Sequence, residues 1–244
     1  MITTIGVDGD DTLWHSENHF QVTTERFVEL LAPWIDRLAD QDGLSAEDHL
    51  IQIERRNLAL LGYGVKAFTL SMIETAIEAT RGEIPASSIE EIIGWGRELL
   101  EHPVDLLDGV DETLRSLSGS FDLVLVTKGD LLHQESKISQ SGIEDLFAGI
   151  EIVSEKDPAT YRRVLTRRGV AADQFVMVGN SVRSDVLPVL EIGGRAVHVP
   201  YHVTWALEHP DPVAPDDTDR DQPSAFASIS SVRELPDAIR QLPN

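Results

Sequence analysis

The sequence predicts an α/β protein: a doubly wound parallel sheet with an all-helical insert after its first strand. Three observations predict it. A short apolar, β-branched run at residues 2–7 ends abruptly in acids. Residues 17–101 then keep a helical rhythm. Beyond residue 108, short apolar runs alternate with helical segments, the pattern of right-handed βαβ crossovers in a parallel sheet.

The elements follow in order. Residues 2–7 (ITTIGV) read as a buried strand closed by a turn signal. Phe20, Phe27, Leu30, Leu31, Trp34 and Leu38 recur near a period of 3.6 and form an apolar stripe, which Pro33 is expected to kink or split. Ser45 and Asp48 open a second helix, and residues 66–80 form a third. Ser87-Ser-Ile-Glu90 reads as a capping box opening a fourth, which runs to about Glu101 before Pro103 breaks it. Helices are then expected near 109–118, 131–141, 157–168 and 184–193. They alternate with strands at 121–126, 150–153, 175–178 and 196–199. Residues 208–224, rich in Pro and Asp, read as a loop, followed by a strand at 226–229 and a helix at 232–241. The expected core is therefore residues 1–16 and 102–244, and the helical insert is 17–101.

Composition narrows the function. With 41% apolar and 25% charged residues, the 244-residue chain can pack a sizeable core. It contains no cysteine, so disulfides and thiolate metal sites are excluded. A formal charge of −22 repels phosphate backbones and anionic lipid, which argues against nucleic-acid and membrane partners. No charged, apolar leader pattern opens the sequence and no apolar run is long enough to span a bilayer, so a soluble, cytoplasmic protein is expected. Lysine is scarce: only Lys66, Lys128, Lys137 and Lys156 occur.

In open α/β sheets, ligands bind at the carboxyl ends of the strands. After the first strand come Asp8, Asp10 and Thr12; after the second, Thr127 and Lys128; after the third, Lys156; after the fourth, Asn180 and Asp185. Aspartates crowded at a strand end need a counter-charge, either a divalent cation or an ammonium. Mg2+ suits a few carboxylate oxygens completed by water and substrate phosphate. Asp8 and Asp185 offer such a partial shell, Lys156 the ammonium, and Thr127 a hydroxyl and N–H for phosphate oxygens.

Asp8-Gly-Asp10-Asp-Thr12 resembles the first motif, DxDx[TV], of the haloacid dehalogenase (HAD) superfamily. Thr127 resembles its second motif, Lys156 its third, and Gly179-Asn-Ser-Val-Arg-Ser-Asp185 a variant of its fourth. The four come in the family's order over residues 2–200, and the helical stretch 17–101 is similar to the family's C1 cap. The resemblance implies roles. Asp8 would be the nucleophile, forming an aspartyl-phosphate. Asp10 would be general acid and then base, its main-chain carbonyl also binding Mg2+ beside Asp8 and Asp185. Lys156 would neutralise charge at the nucleophile, and Thr127 would bind the transferring phosphoryl group, with Asn180 and Lys128 also assigned to substrate. Lys128 reaches either the substrate or a neighbouring carboxylate. Asn180 stands where an acid is common and acts as a ligand or through a hydrogen bond. Asp11 replaces a frequent glycine.

True 2-haloacid dehalogenases of this superfamily lack the second aspartate and need no metal. Asp10 therefore points to a Mg2+-dependent phosphatase acting on a small phosphorylated metabolite. The alternatives are a dehalogenase-type C–X hydrolase using Asp8, or a non-catalytic binding module that keeps the fold. Trp14 is expected to pack rather than touch substrate, and His198 to be a structural histidine.

Overall fold

The computed structural model describes residues 1–34, 44–208 and 225–243. Leu38 and the Pro- and Asp-rich segment from residue 209 lie outside the described residues. The described chain divides into two compact units. One comprises Met1–Ser16, Val104–Lys128 and the described residues from Gln134 onward; the other comprises the described residues of Glu17–Pro103 together with Gly129–His133.

The first unit holds a six-stranded, all-parallel sheet: β1 (Thr4–Val7), β2 (Asp122–Lys128), β3 (Gly149–Val153), β4 (Phe175–Gly179), β5 (Arg195–His198) and β6 (Phe226–Ser228). Their order is β3-β2-β1-β4-β5-β6, so the winding reverses at β1. The carboxyl ends of β1 and β4 flank that switch point, where a doubly wound sheet leaves a ligand crevice.

Strand residues alternate between two cores with the period of two that a pleated backbone imposes. Ile5, Val7, Leu123, Leu125, Val176 and Val178 pack on one face with Leu114 and Leu117 of the helix Val110–Ser118. Val124, Val126, Phe175 and Met177 pack on the other with Tyr161, Val164 and Leu165 of the helix Pro158–Arg168. Both faces are covered, which is why these strands read as apolar runs.

Gly6, in the fully buried β1, faces the second core without a side chain. A Cβ there would run into the Phe175 ring and lie 2.8 Å from Met177 Sδ. Gly6→Val is therefore expected to destabilise the protein by about 1–3 kcal/mol through overpacking, despite valine's preference for strands. A lowered urea midpoint with an unchanged m-value would show it.

In the second unit, the helices are α1 (Glu17–Leu31), α2 (Ala46–Leu61), α3 (Val65–Thr80) and α4 (Ala86–Glu101). They enclose a core of Phe27, Leu31, Leu50, Met72, Ile92 and Trp95. α1 stops two residues before Pro33, in a 3-10 turn over Ala32–Trp34, because the proline ring disfavours a helical residue before it. The Ser45–Asp48 capping box is formed: Ser45 Oγ accepts from Asp48 N at 3.0 Å and Asp48 Oδ2 from Ser45 N at 3.1 Å. The expected box at Ser87–Glu90 is not. α4 begins at Ala86 behind Pro85, whose extended backbone makes it the cap and leaves Ser87 inside the first turn.

The remaining helices are α5 (Val110–Ser118), α6 (Leu131–Gln140), α7 (Pro158–Arg168), α8 (Leu187–Glu191) and α9 (Leu235–Gln241). Two local differences from expectation bear on function. β2 runs to Lys128, so Thr127 and Lys128 are the last strand residues rather than the first of the loop. The helix expected at 184–193 is a π turn over Val182–Val186 followed by the short α8. No described helix is long and apolar enough to cross a membrane.

Candidate active site

The ends of β1, β2 and β4 converge because these strands are neighbours. Asp8 N donates to Val178 O at 2.9 Å and extends the β1–β4 ladder by one step, which fixes Asp8 at the strand end. Gly9 lets the chain turn in tight quarters. A Cβ there would lie 2.8 Å from Trp14 Cζ2 and 3.2 Å from Thr127 Oγ1, so the fully buried Thr127 hydroxyl sits beside the Asp8–Asp10 loop. Asp11 is in the left-handed region at φ 60°, which explains why glycine is frequent there. Aspartate tolerates it because its Oδ1 accepts from Ser16 N at 2.9 Å.

Lys156, beyond β3, places Nζ 2.5 Å from Asp8 Oδ1 and 2.7 Å from Asp185 Oδ1. Its side chain is only 2% exposed. The π turn delivers Asp185, whose Oδ2 accepts from Ser181 N at 3.0 Å. Such wide turns recur at functional sites because they redirect a side chain without ending the helix. Gly179 is required beneath it, since a Cβ would overlap the Asp185 carboxylate. Tyr161 Oη donates to Ser184 O at 3.0 Å and pins the turn from below.

One ammonium thus serves two buried carboxylates. Burial drives the Asp8 carboxyl up, Lys156 opposes this, and the charge of Asp185 adds to it; the result is about 7 instead of 3.8. Burial alone would lower the Lys156 ammonium, but the charges of Asp185 and Asp8 outweigh it and hold the pKa above the ordinary lysine value.

Thr12 links Asp8 to the fourth strand. Its hydroxyl accepts from Asn180 N at 3.0 Å and lies 3.4 Å from Asp8 Oδ2 and 3.5 Å from Asn180 Oδ1. Asn180 therefore sits one hydroxyl away from Asp8. Its carbonyl oxygen lies 3.0 Å from His198 Nε2, the structural pairing expected of that histidine.

Asp10 stands apart from the Asp8–Lys156–Asp185 cluster. Trp14 Nε1 and Lys137 Nζ lie 2.6 and 2.5 Å from its Oδ1, and Gln134 Nε2 lies 2.9 Å from its Oδ2. Burial would raise this carboxyl. The Lys137 charge and the three hydrogen bonds outweigh it and hold Asp10 below the usual carboxylate value. The ring of Trp14 is buried, as expected of a packing residue, while its N–H serves Asp10.

Lys128 meets protein carboxylates. Its Nζ pairs with Glu208, lies 3.5 Å from Glu155 Oε1 and donates to Ser184 Oγ at 2.9 Å. Glu208 also accepts from Ser181 and Ser184 Oγ at 2.5 and 2.6 Å. Burial would raise the Glu208 carboxyl, but Lys128 and the two hydroxyls hold it below its ordinary value.

Three of the four lysines are therefore at this site. Sequence reasoning placed Lys128 and Lys156 here and missed Lys137, Gln134 and Glu208. The signal for Lys137 lay in its spacing: Gln134 and Lys137 are i,i+3 on the helix after β2 and share one face. Glu208 gave no signal, being one acid among many before an acidic segment.

The donor set suits Mg2+. Asp8 and Asp185 are hard, buried oxygen donors that share a single ammonium, that of Lys156. Asp10 would contribute its main-chain carbonyl, its carboxylate being engaged elsewhere. Among the described residues no three His, Asp or Glu side chains are grouped to hold a metal ion by themselves.

Among curated proteins the chain has no match. Among solved structures it is similar to a haloacid dehalogenase-like family hydrolase from Xanthomonas campestris, with 43% identity over 98% of this chain and 91% of that one and a TM-score of 0.82. It is similar in fold to a 2-haloacid dehalogenase from Pseudomonas syringae pv. Tomato, with 23% identity over 99% of each chain and a TM-score of 0.61. A magnesium-bound HAD-hydrolase from Bacillus subtilis also shares the fold, with 17% identity over 98% of each chain and a TM-score of 0.61. The sequence model of the haloacid dehalogenase-like hydrolase family matches residues 2–193, and this chain belongs to that family.

Proposed function

We propose that the protein is a Mg2+-dependent hydrolase of small phosphate monoesters, working through an aspartyl-phosphate on Asp8. The observation that carries this reading is Asp10, a second carboxylate two residues from the nucleophile and hydrogen-bonded on both oxygens. Family dehalogenases lack that residue, and C–X hydrolysis has no leaving oxygen to protonate.

Asp8 attacks phosphorus, and Lys156 offsets the charge gathered around the attacking carboxylate. Thr127 and Asn180 hold phosphoryl oxygens, while the Lys128 ammonium is taken up by Glu208 and Glu155. Asp10 serves the leaving oxygen and then the hydrolytic water. Asp8, Asp185 and the Asp10 carbonyl would hold Mg2+, which when bound supplies charge neutralisation for the phosphoryl group. Residues 17–101 take the role of a substrate-selecting cap.

One observation favours the second reading, a C–X hydrolase using Asp8: Lys156 already supplies a counter-charge to both Asp8 and Asp185 without a metal. Purified protein with p-nitrophenyl phosphate in Mg2+ or EDTA, and with 2-chloropropionate, separates the two. The expected result is phosphate release that stops in EDTA, with no chloride release. Metal-independent chloride release would replace the phosphatase reading.

A further inference from the structure

Three donors surround the Asp10 carboxylate. Lys137 and Gln134 project from one face of α6, and Trp14 closes the turn that begins at Asp10. Together they occupy both carboxylate oxygens: Lys137 Nζ and Trp14 Nε1 on Oδ1, Gln134 Nε2 on Oδ2. Gln134 Nε2 also donates to Lys128 O at 2.5 Å, which ties the amide to the end of β2. Lys137 has an 11% exposed side chain, and its Nζ lies 6.0 Å from the Trp14 ring centroid. A carboxylate held on both oxygens from two chain segments has lost its χ freedom before any substrate arrives.

We propose that Lys137, assisted by Gln134, is a positioning residue that fixes the direction in which Asp10 takes a proton from the hydrolytic water. The proposal rests on the phosphatase reading. In the step concerned, the water oxygen bonds to phosphorus, the bond from phosphorus to the Asp8 oxygen breaks, and the water proton passes to Asp10. Asp8 leaves as a carboxylate and phosphate departs. A geometry error at Asp10 slows this step. It leaves aspartyl-phosphate formation from p-nitrophenyl phosphate nearly unchanged, because p-nitrophenolate departs without a proton.

The test is steady-state kinetics of Lys137→Met, Lys137→Arg, Gln134→Leu and Asp10→Asn on p-nitrophenyl phosphate with Mg2+ at one pH. Lys137→Met is expected to lower kcat and KM together by roughly 10–100-fold, the range of a misplaced general base, leaving kcat/KM within about twofold. Asp10→Asn gives the same split. Lys137→Arg recovers most of kcat, and Gln134→Leu shows a smaller loss of the same kind. A fall in kcat/KM equal to that in kcat, with no recovery by arginine, overturns the role of Lys137 while the phosphatase reading stands. If Lys137→Met does not fold, Gln134→Leu decides by the same split. Wild-type protein that, with Mg2+, releases phosphate from neither p-nitrophenyl phosphate nor a panel of small phosphorylated metabolites overturns the phosphatase reading and this proposal with it.

Discussion

Asp8→Asn is expected to lower p-nitrophenyl phosphate turnover by at least about 10^4-fold, the scale of losing a covalent nucleophile. It should do so without weakening the fold. The asparagine keeps the shape of the side chain but cannot ionise. In the wild type, the folded-state carboxyl titrates near 7 rather than 3.8 because it is buried beside Asp185. A group raised in this way contributes stability below the unfolded value and loses it as pH rises through the folded one. In EDTA at pH 8, the variant should therefore be more stable than wild type by up to about 4 kcal/mol. The gap should narrow as pH falls toward 4. Thermal melts at the two pH values, beside the activity assay, read both effects. A variant that melts below wild type at pH 8 would mean that the attraction between Asp8 and Lys156 exceeds the combined cost of burying the carboxylate and of its repulsion from Asp185.

The strands were legible because each is buried on both faces and bounded by turn chemistry. The run 121–126 reads as a strand since Leu123, Val124, Leu125 and Val126 all find a core, odd residues on one side and even on the other. Its last two residues were not legible, because Thr127 and Lys128 are polar and only the pairing with Ile152 and Val153 of β3 keeps them extended. The π turn at Val182–Val186 was invisible for a similar reason. Its residues have ordinary helical patterning, and the wide turn answers the demand that Asp185 reach Lys156.

At the site, what could be read were charges at strand ends. Asp8, Lys156 and Asp185 each follow a strand, and parallel neighbours bring their ends together. The partners of Asp10 could not be read in this way. Lys137 lies nine residues past the end of β2, and its ion pair with Asp10 depends on which face α6 turns to the sheet. The Ser87 cap failed for a local reason: a proline two residues earlier had already set the helix start.

Lys156→Met should give the largest loss of stability of any single substitution at this site. Methionine matches the length and burial of the lysine stem but leaves Asp8 and Asp185 facing one another without a cation. Removing one partner from a buried ionic cluster costs about 3–5 kcal/mol, because the surviving charges stay desolvated. The sign of the pH dependence follows. Without the ammonium the folded-state carboxyl of Asp8 rises further above its unfolded value, so the deficit grows as pH increases past 7 and shrinks on acidification. Urea unfolding in EDTA at pH 5 and pH 8 measures it. Adding Asp185→Asn to Lys156→Met removes the second charge and should restore part of the loss, a non-additive coupling of roughly 1–3 kcal/mol for groups in one network. Strict additivity, or a deficit independent of pH, would mean that Lys156 supports the fold by packing rather than by holding the two carboxylates together.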